Sequence, residues 1–174
     1  MRIISGIHKG RKLIAPKNLP VRPTTDRAKE ALFNILENRY YFENKNVLDL
    51  FAGTGNIGYE FASRGCKDII AIDKNKSCIN YIQKTASTLG ININAILDDS
   101  LEYITKCNKQ FDFIFVDPPY NYPNYQDIKK NILEKKIIKK NGCLIIEHDK
   151  NTIFLDQHLD HRKYGNIHFS IFSF

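Results

Sequence analysis

Residues 46–58 read NVLDLFAGTGNIG, and their pattern indicates the class of fold. A short apolar strand pattern runs into three glycines, Gly53, Gly55 and Gly58, and a helix pattern follows them. Glycines permit a tight turn and let the backbone approach a ligand closely. Their G-x-G-x-x-G spacing is the dinucleotide fingerprint, and Asp73 follows at the distance of a ribose contact. The stretch therefore predicts an open α/β sheet whose first crossover holds a nucleotide-like cofactor.

Apolar strand patterns and helix patterns alternate from this stretch onward, which is typical of a parallel sheet covered on both faces. The last run, Asn166–Phe174, faces Arg162–Tyr164 across Gly165 and predicts a terminal antiparallel hairpin. The patterns predict helices near 56–64, 75–88, 100–107 and 125–136, and strands at Asn46–Leu50, Asp68–Asp73, Ile93–Leu97, Phe111–Asp117 and Gly142–Glu147.

Acids at the strand ends favour S-adenosylmethionine over NAD as the cofactor. Asp49 precedes the glycines, where a carboxylate suits the cationic end of a sulfonium amino acid better than a pyrophosphate. Asp99, in the run Asp98-Asp99-Ser100, stands where it can meet an adenine amino group. A helix N-cap is an equally good interpretation of Asp99. An NAD-dependent reductase remains the alternative from another class of enzyme.

The strand Phe111–Asp117 ends in Asp117-Pro118-Pro119-Tyr120, the most specific chemical signal in the chain. Two prolines stop a strand and hold the preceding residue extended. An aromatic exocyclic amine is a poor nucleophile, and acceptors on its N–H groups release its lone pair. Asp117 and the Pro118 carbonyl can serve as these acceptors, and Tyr120 can stack on a base turned out of its helix. The string predicts methyl transfer to an amino nitrogen.

The whole net charge of +7 lies near the N-terminus. Residues 1–29 hold eight basic residues and the single acid Asp26, whereas the rest of the chain holds 18 basic and 18 acidic residues. A basic segment on a neutral body favours binding to a phosphate backbone, and a solvated basic terminus that aids solubility is the alternative. The candidate RNA contacts are Lys9, Arg11, Lys12, Arg22 and Arg27.

Local patterns around this basic segment predict two short strands, Arg2–Ser5 and Arg11–Ala15, and then a helix. The helix is capped by Thr24 or Thr25 and runs to about Glu37. Its apolar residues recur on one face, so Arg27 and Lys29 are expected off that face, near the exposed first turn.

The remaining composition excludes several classes of protein. No apolar run reaches the roughly 18 residues that a membrane span requires. The N-terminus lacks the apolar stretch of a signal peptide, which predicts a cytoplasmic protein. The four cysteines show no metal-ligand spacing, so we expect buried, reduced thiols and no metal.

Residues 49–55 together with the Asp117-Pro118-Pro119-Tyr120 string resemble class I amino-methyltransferases. The N-terminal runs RIISG at residues 2–6, GRKL at 10–13, RPTTDR at 22–27 and EALFNIL at 30–36 narrow the resemblance. They are similar to the RsmD family, bacterial enzymes that methylate N2 of a guanine in small-subunit (16S) ribosomal RNA. The similarity covers essentially the whole chain.

The resemblance implies one Rossmann-like methyltransferase domain over residues 1–174. A basic hairpin and helix would occupy 1–40, and a seven-stranded, mostly parallel sheet of order 3-2-1-4-5-7-6 would lie within 41–174. It also implies a monomer that acts on ribosomal RNA, within an assembling small subunit, and releases S-adenosylhomocysteine. The alternative is an adenine-N6 methyltransferase of DNA or RNA. The resemblance places the base at 117–120 and the cofactor at Asp49, Phe51, Gly53, Gly55, Asp73, Asp99 and Ser100.

Overall fold

The computed structural model of the chain describes residues 1–16, 19, 24–119, 122–123, 125–156 and 159–174. Its helices are α1 (Asp26–Glu37), α2 (Asn56–Ser63), α3 (Lys76–Leu89), α4 (Ser100–Lys106) and α5 (Tyr125–Glu134). Its strands are β1 (Asn46–Leu50), β2 (Asp68–Asp73), β3 (Ile93–Leu97), β4 (Phe111–Val116), β5 (Ile138–His148), β6 (Leu159–Tyr164) and β7 (Ile167–Ser173).

The strands form one seven-stranded sheet of order β3-β2-β1-β4-β5-β7-β6. Strands β1 to β5 are parallel, while β7 pairs antiparallel with both β5 and β6. The predicted α/β class, strand order and terminal hairpin are therefore confirmed. Strand order reverses at β1, whose neighbours are β2 on one side and β4 on the other. An open parallel sheet binds its ligand at the carboxyl ends of the strands beside such a point.

Helices cover both faces of the sheet, as predicted. On one face, α1, α2 and α3 pack Leu32, Ile57 and Ile82 into a core that includes Phe113 of β4. On the other face, α4 and α5 pack their apolar side chains against a second core. Because successive strand residues point to opposite faces, each strand carries apolar side chains on both sides.

The N-terminal strands Arg2–Ser5 and Arg11–Ala15 were a wrong prediction, because a single antiparallel bridge between Arg2 and Lys12 forms there. The backbone N–H groups of Ile4 and Ser5 donate to the Glu60 carboxylate of α2 at 2.8 and 3.1 Å. The Ser5 N–H is therefore not free for a longer β-ladder, whereas the Ile4 N–H points away from the partner segment in any case, because the neighbouring Ile3 N–H donates to the Arg11 carbonyl. The N-terminal turn is thus fastened to α2.

Smaller differences concern two strand ends. The ladder of β4 ends at Val116 rather than Asp117 because Pro118 and Pro119 cannot donate to it. Strand β5 begins at Ile138 rather than Gly142, since Ile138 already pairs with Phe111. All four cysteines are buried free thiols, as expected. In the described part of the chain, no helix combines the length and apolarity needed to cross a membrane.

Candidate active site

A cleft of about 350 Å³ opens at the carboxyl ends of β1, β2, β4 and β5. This size is at the lower end of the range for small-molecule sites. Nine of the residues predicted for the cofactor and the reaction line it, namely Asp49, Phe51, Gly53, Asp73, Asp99, Ser100, Asp117, Pro118 and Pro119. Tyr120 lies outside the described residues.

The glycine loop between β1 and α2 forms one wall of the cleft. Phe51, Gly53 and Gly55 all have positive φ, at 61°, 54° and 76°. Gly55 does not line the cleft and instead supplies the turn that starts α2. A Cβ on Gly55 would lie 2.9 Å from the ring of Tyr59, so only glycine fits without displacement.

Asp73, at the end of β2, is hydrogen-bonded to this loop. Its Oδ2 accepts the Gly53 N–H at 2.8 Å, and its Oδ1 accepts the Asn75 N–H at the same distance. The carboxylate is half-buried and lines the cleft. A carboxylate offers about four lone-pair sites, so these two hydrogen bonds leave capacity for a ligand hydroxyl.

Asp99 follows β3 and caps α4, accepting the N–H groups of Leu101 and Glu102 at 2.9 and 3.3 Å. The N-cap interpretation of Asp99 is therefore confirmed, and the residue also lines the cleft. Asp98 is not among the lining residues, and its Oδ1 accepts the Asp99 N–H at 2.9 Å. Ser100 Oγ accepts the Phe51 N–H at 3.3 Å, which ties α4 to the glycine loop.

Asp49 is an almost completely buried acid, with a relative exposure of 1%. Its Oδ2 accepts the Gly58 N–H at 3.2 Å. Burial raises the pKa of Asp49 to about 7, the Gly58 hydrogen bond lowers it, and the Asp73 charge raises it further. An ionised Asp49 is therefore costly unless a positive charge enters the cleft.

Asp117 directly follows β4 and is half-buried at the cleft wall. Its N–H donates to the Leu50 carbonyl at 3.3 Å, which fixes the turn beside the end of β1. Burial raises the pKa of Asp117 well above its usual range, and the Glu147 and Asp49 charges raise it further. Pro118 is buried and Pro119 is exposed.

The sequence prediction missed Glu147, the fifth acid that lines the cleft, which is only 3% exposed. Burial raises the pKa of Glu147 to about 7, although the Thr24 hydroxyl opposes this by donating to Oε2 at 2.8 Å. Thr25 is the N-cap of α1, so Thr24 serves the cleft instead. The available signal was an acid at the end of an apolar strand, the same signal that identified Asp117.

A buried network of polar side chains fixes the position of Thr24. Asn56 donates to the Thr24 carbonyl at 3.0 Å, and the Lys29 ammonium donates to Asn56 Oδ1 at 2.7 Å. Lys29 also donates to the Arg2 carbonyl at 2.8 Å and lies 3.5 Å from the Glu60 carboxylate.

The expected exposure of Lys29 was wrong, because its side chain is completely buried. Burial lowers its pKa, and the Glu60 charge opposes this. Lys29 therefore neutralises an internal acid. This part of the N-terminal charge does not reach the surface.

The predicted RNA contacts form a separate group. Lys9, Arg11, Lys12 and Arg27 are exposed, as expected, and none of them lines the cleft. Arg22 lies outside the described residues. These four side chains therefore present positive charge to solvent, while the cleft is acidic. Among the described lining residues, Lys74 is the single cation, and its side chain is exposed.

Comparison with known proteins adds to this geometry. The sequence model of the family described as Conserved hypothetical protein 95 matches residues 1–173. Ribosomal RNA small subunit methyltransferase D of Buchnera aphidicola (subsp. Acyrthosiphon pisum) is 41% identical over 155 residues, 85% of this chain and 78% of the relative.

Solved structures show the same architecture. A Haemophilus influenzae protein described as a methylase is 28% identical with a TM-score of 0.80, covering 99% of this chain and 97% of the other. A protein described as a methyltransferase and solved with S-adenosylhomocysteine (SAH) is 17% identical with a TM-score of 0.67. That match covers 84% of this chain and 49% of the other, and it shows the fold alone.

Proposed function

The chain belongs to the RsmD family, which the model described as Conserved hypothetical protein 95 represents, and from this membership we propose its reaction. It transfers a methyl group from S-adenosylmethionine to N2 of a guanine in small-subunit ribosomal RNA. The observation that carries the proposal is the cleft, where a glycine loop meets five acids at or next to strand ends.

The acids fit a cationic cofactor. Asp49, Asp117 and Glu147 each have a raised pKa, first because of burial. A ligand that carries a sulfonium and an ammonium group offsets this cost, since an opposite charge nearby favours the ionised carboxylate. A pyrophosphate would add negative charge to the same cleft. This electrostatic match favours S-adenosylmethionine over NAD.

The residues proposed to bind the cofactor contact different parts of it. Asp73 accepts from the ribose hydroxyls, Asp49 attracts the cationic amino acid end, and Asp99 accepts from the adenine amino group. Gly53 lets the loop approach the cofactor closely, and Gly55 supplies the turn that starts α2; both have positive φ. The side chains of Phe51 and Ser100, which line the cleft beside Asp99, complete the adenosine site.

S-adenosylmethionine supplies a methyl group on a good leaving group, so the chain has to orient and activate the amine. Asp117 accepts one N–H of the guanine amino group, and the Pro118 carbonyl accepts the other. Held in this way, the nitrogen lone pair points at the methyl carbon, in line with the bond that breaks. Positioning then supplies much of the rate acceleration. The raised pKa of Asp117 suits it to take the proton that the amine releases after transfer. Tyr120 stacks on the base.

The substrate assignment is supported by the relative that acts on small-subunit ribosomal RNA and by the exposed cations. Lys9, Arg11, Lys12, Arg22 and Arg27 contact RNA phosphates. Such contacts position a nucleic acid without reading its sequence. The protein acts as a monomer in the cytoplasm, and residues 1–174 form a single domain. Residues 1–40 bind RNA within an assembling small subunit.

The test supplies S-adenosylmethionine labelled in its methyl group to small ribosomal subunits, naked ribosomal RNA and duplex DNA. Each substrate is then digested to nucleosides, and the labelled nucleoside is identified by chromatography and mass. We expect N2-methylguanosine from ribosomal RNA, and more label in the RNA of small ribosomal subunits than in naked ribosomal RNA. Label in N6-methyladenosine, or label from duplex DNA alone, would contradict the guanine assignment.

A further inference from the structure

Glu147 occupies a matched position beside Asp117. Phe115 of β4 pairs with Ile145 of β5, and Val116 pairs with Ile146, so Asp117 and Glu147 each follow the last of these pairs by one residue. Because strand side chains alternate between faces, Asp117 and Glu147 leave the sheet on the same side. Both line the cleft. The cleft thus offers two neighbouring carboxylates rather than one.

The position of Glu147 is fixed by specific hydrogen bonds. Thr24 donates to its Oε2 at 2.8 Å, and Asn56 in turn donates to the Thr24 carbonyl at 3.0 Å. Asn56 is held by the buried Lys29 ammonium at 2.7 Å. A carboxylate has about four lone-pair sites, and Thr24 fills one of them. Glu147 is therefore a pre-positioned acceptor, and its place is set by the N-terminal segment.

Two adjacent acceptors fit the chemistry of one base edge. Guanine carries the N1–H donor next to its 2-amino group, so two carboxylates can accept from both groups at once. Adenine carries an unprotonated N1 next to its 6-amino group, and this lone pair would face a carboxylate. A site built to accept a hydrogen bond rejects a substrate that lacks the donor, because the buried group is then left unpaired.

We propose that Glu147 determines the specificity of the site by accepting the N1–H of the target guanine while Asp117 and the Pro118 carbonyl hold its amino group. The inference rests on the proposed function and names the residue that makes guanine the preferred base. The N-terminal segment, through Thr24, thereby helps to choose the base.

The test probes the hydrogen bond to N1–H with one base analogue, and the change in base preference between wild type and the variants isolates the part that depends on Glu147. The methylated guanine is first mapped in the ribosomal RNA. The same position is then made either guanine or 2-aminopurine, which keeps the 2-amino group but has an unprotonated N1 and lacks O6; the loss of O6 is common to all variants. The single-turnover rate at subsaturating RNA is measured at about pH 8, above the pKa of about 7 of Glu147, for wild type, Glu147→Gln and Thr24→Val. S-adenosylmethionine affinity is measured by calorimetry as the control for an intact cleft.

Wild type should prefer guanine on the order of 100-fold, the worth of a hydrogen bond to a charged group. Glu147→Gln should reduce the preference to about 10-fold or less, because its amide can donate to the unprotonated N1. Thr24→Val should shift the preference in the same direction by a smaller factor. It provides the readout if Glu147→Gln fails to fold.

The outcomes separate the two proposals. If wild type puts no label into guanosine, the proposed function fails. If wild type makes N2-methylguanosine but Glu147→Gln and Thr24→Val keep the wild-type preference, the role of Glu147 fails alone. A Glu147→Gln variant that loses cofactor affinity while keeping the base preference would assign Glu147 to the cofactor and overturn the inference.

Discussion

Replacing Asp49 by asparagine should stabilise the protein and weaken cofactor binding at the same time. The Asp49 carboxyl group is buried, and its pKa rises from 3.8 to about 7 on folding because burial disfavours its charge. The folded chain therefore keeps a proton that the unfolded chain has released between these two values. Stability from this group is present at low pH and is lost as the pH rises through the window. An asparagine side chain has no proton to release there.

The size of the effect follows from the two pKa values. Each pH unit in the window costs about 1.4 kcal/mol, so raising the pH from about 5 to about 8 costs wild type about 3 kcal/mol through Asp49. For a chain of 174 residues, this equals roughly 6 to 12 °C in Tm. The amide oxygen of the Asp49→Asn variant can still accept the Gly58 N–H, so the packing of the loop is kept.

The assay is urea unfolding of wild type and Asp49→Asn at about pH 5 and about pH 8, with S-adenosylmethionine affinity measured by calorimetry at the higher pH. The variant should gain stability relative to wild type only as the pH rises. Its cofactor affinity should fall by about 10- to 100-fold, the worth of a charged hydrogen bond. A stability difference independent of pH would contradict the effect assigned to the buried Asp49 charge. Unchanged affinity would contradict its contact with the cofactor.

Asp112→Asn is the matched control, at the opposite end of the sheet. Burial opposes the charge of Asp112, but the Asn46 N–H and the Lys139 ammonium outweigh it and hold its pKa below the usual range. The stability that Asp112 contributes is complete above the ordinary pKa of an aspartate and is lost only as the pH falls below it. Its replacement should therefore cost the same at both pH values and leave cofactor affinity unchanged.

Three further predictions follow from the packing and charge of other residues. Lys29→Met should lower the free energy of unfolding in urea by about 3 kcal/mol, because Glu60 loses one of its two buried cations, with Arg64 remaining, and Asn56 Oδ1 loses its donor. Gly55→Ala should lower the stability by about 2 to 3 kcal/mol and weaken cofactor binding, because its φ of +76° and the nearby Tyr59 ring exclude a Cβ. Neutralising the exposed cations should weaken RNA binding and make its logarithmic salt slope shallower by about one for each phosphate that is no longer bound; they are Lys9, Arg11, Lys12 and Arg27.

Matched variants control the two stability predictions. Lys12→Met removes an exposed lysine and should change stability by less than about 0.5 kcal/mol. Gly90→Ala adds a Cβ that meets nothing within 4 Å at a similar φ of +66°, so it should cost only about 1 kcal/mol of backbone strain. Equal losses of stability within either pair would contradict the burial of Lys29 or the steric role of Gly55. A salt slope unchanged in the neutralised variant would count against the RNA assignment.

Acids such as Asp49, Asp73 and Asp117 were predictable because each stands at the end of an apolar strand. Parallel strands bring their carboxyl ends to one edge of the sheet, so local pattern and fold class together place these side chains in one cleft. The strand order came from the resemblance to a family. Local pattern alone does not order strands.

Interactions between distant elements were the part that sequence could not give. Thr24 and Glu147 are 123 residues apart, and locally Thr24 looks like a helix cap. Lys29 looked exposed because helical periodicity does not show that Glu60 of α2 lies behind it. The same carboxylate accepts the Ser5 N–H, which a longer N-terminal strand would have used for pairing.

Single-turnover methyl transfer by Asp117→Asn shows whether the Asp117 carboxylate activates the target amine. With ribosomal RNA and saturating labelled S-adenosylmethionine, the variant should lose at least about 100-fold in transfer rate while keeping cofactor affinity, because a neutral amide accepts the amine N–H more weakly than a carboxylate and holds the lone pair less firmly in line with the methyl group. Asp112→Asn, at the start of the same strand, should transfer at the wild-type rate. Wild-type transfer by Asp117→Asn would show that methyl transfer does not depend on this carboxylate and would contradict the account.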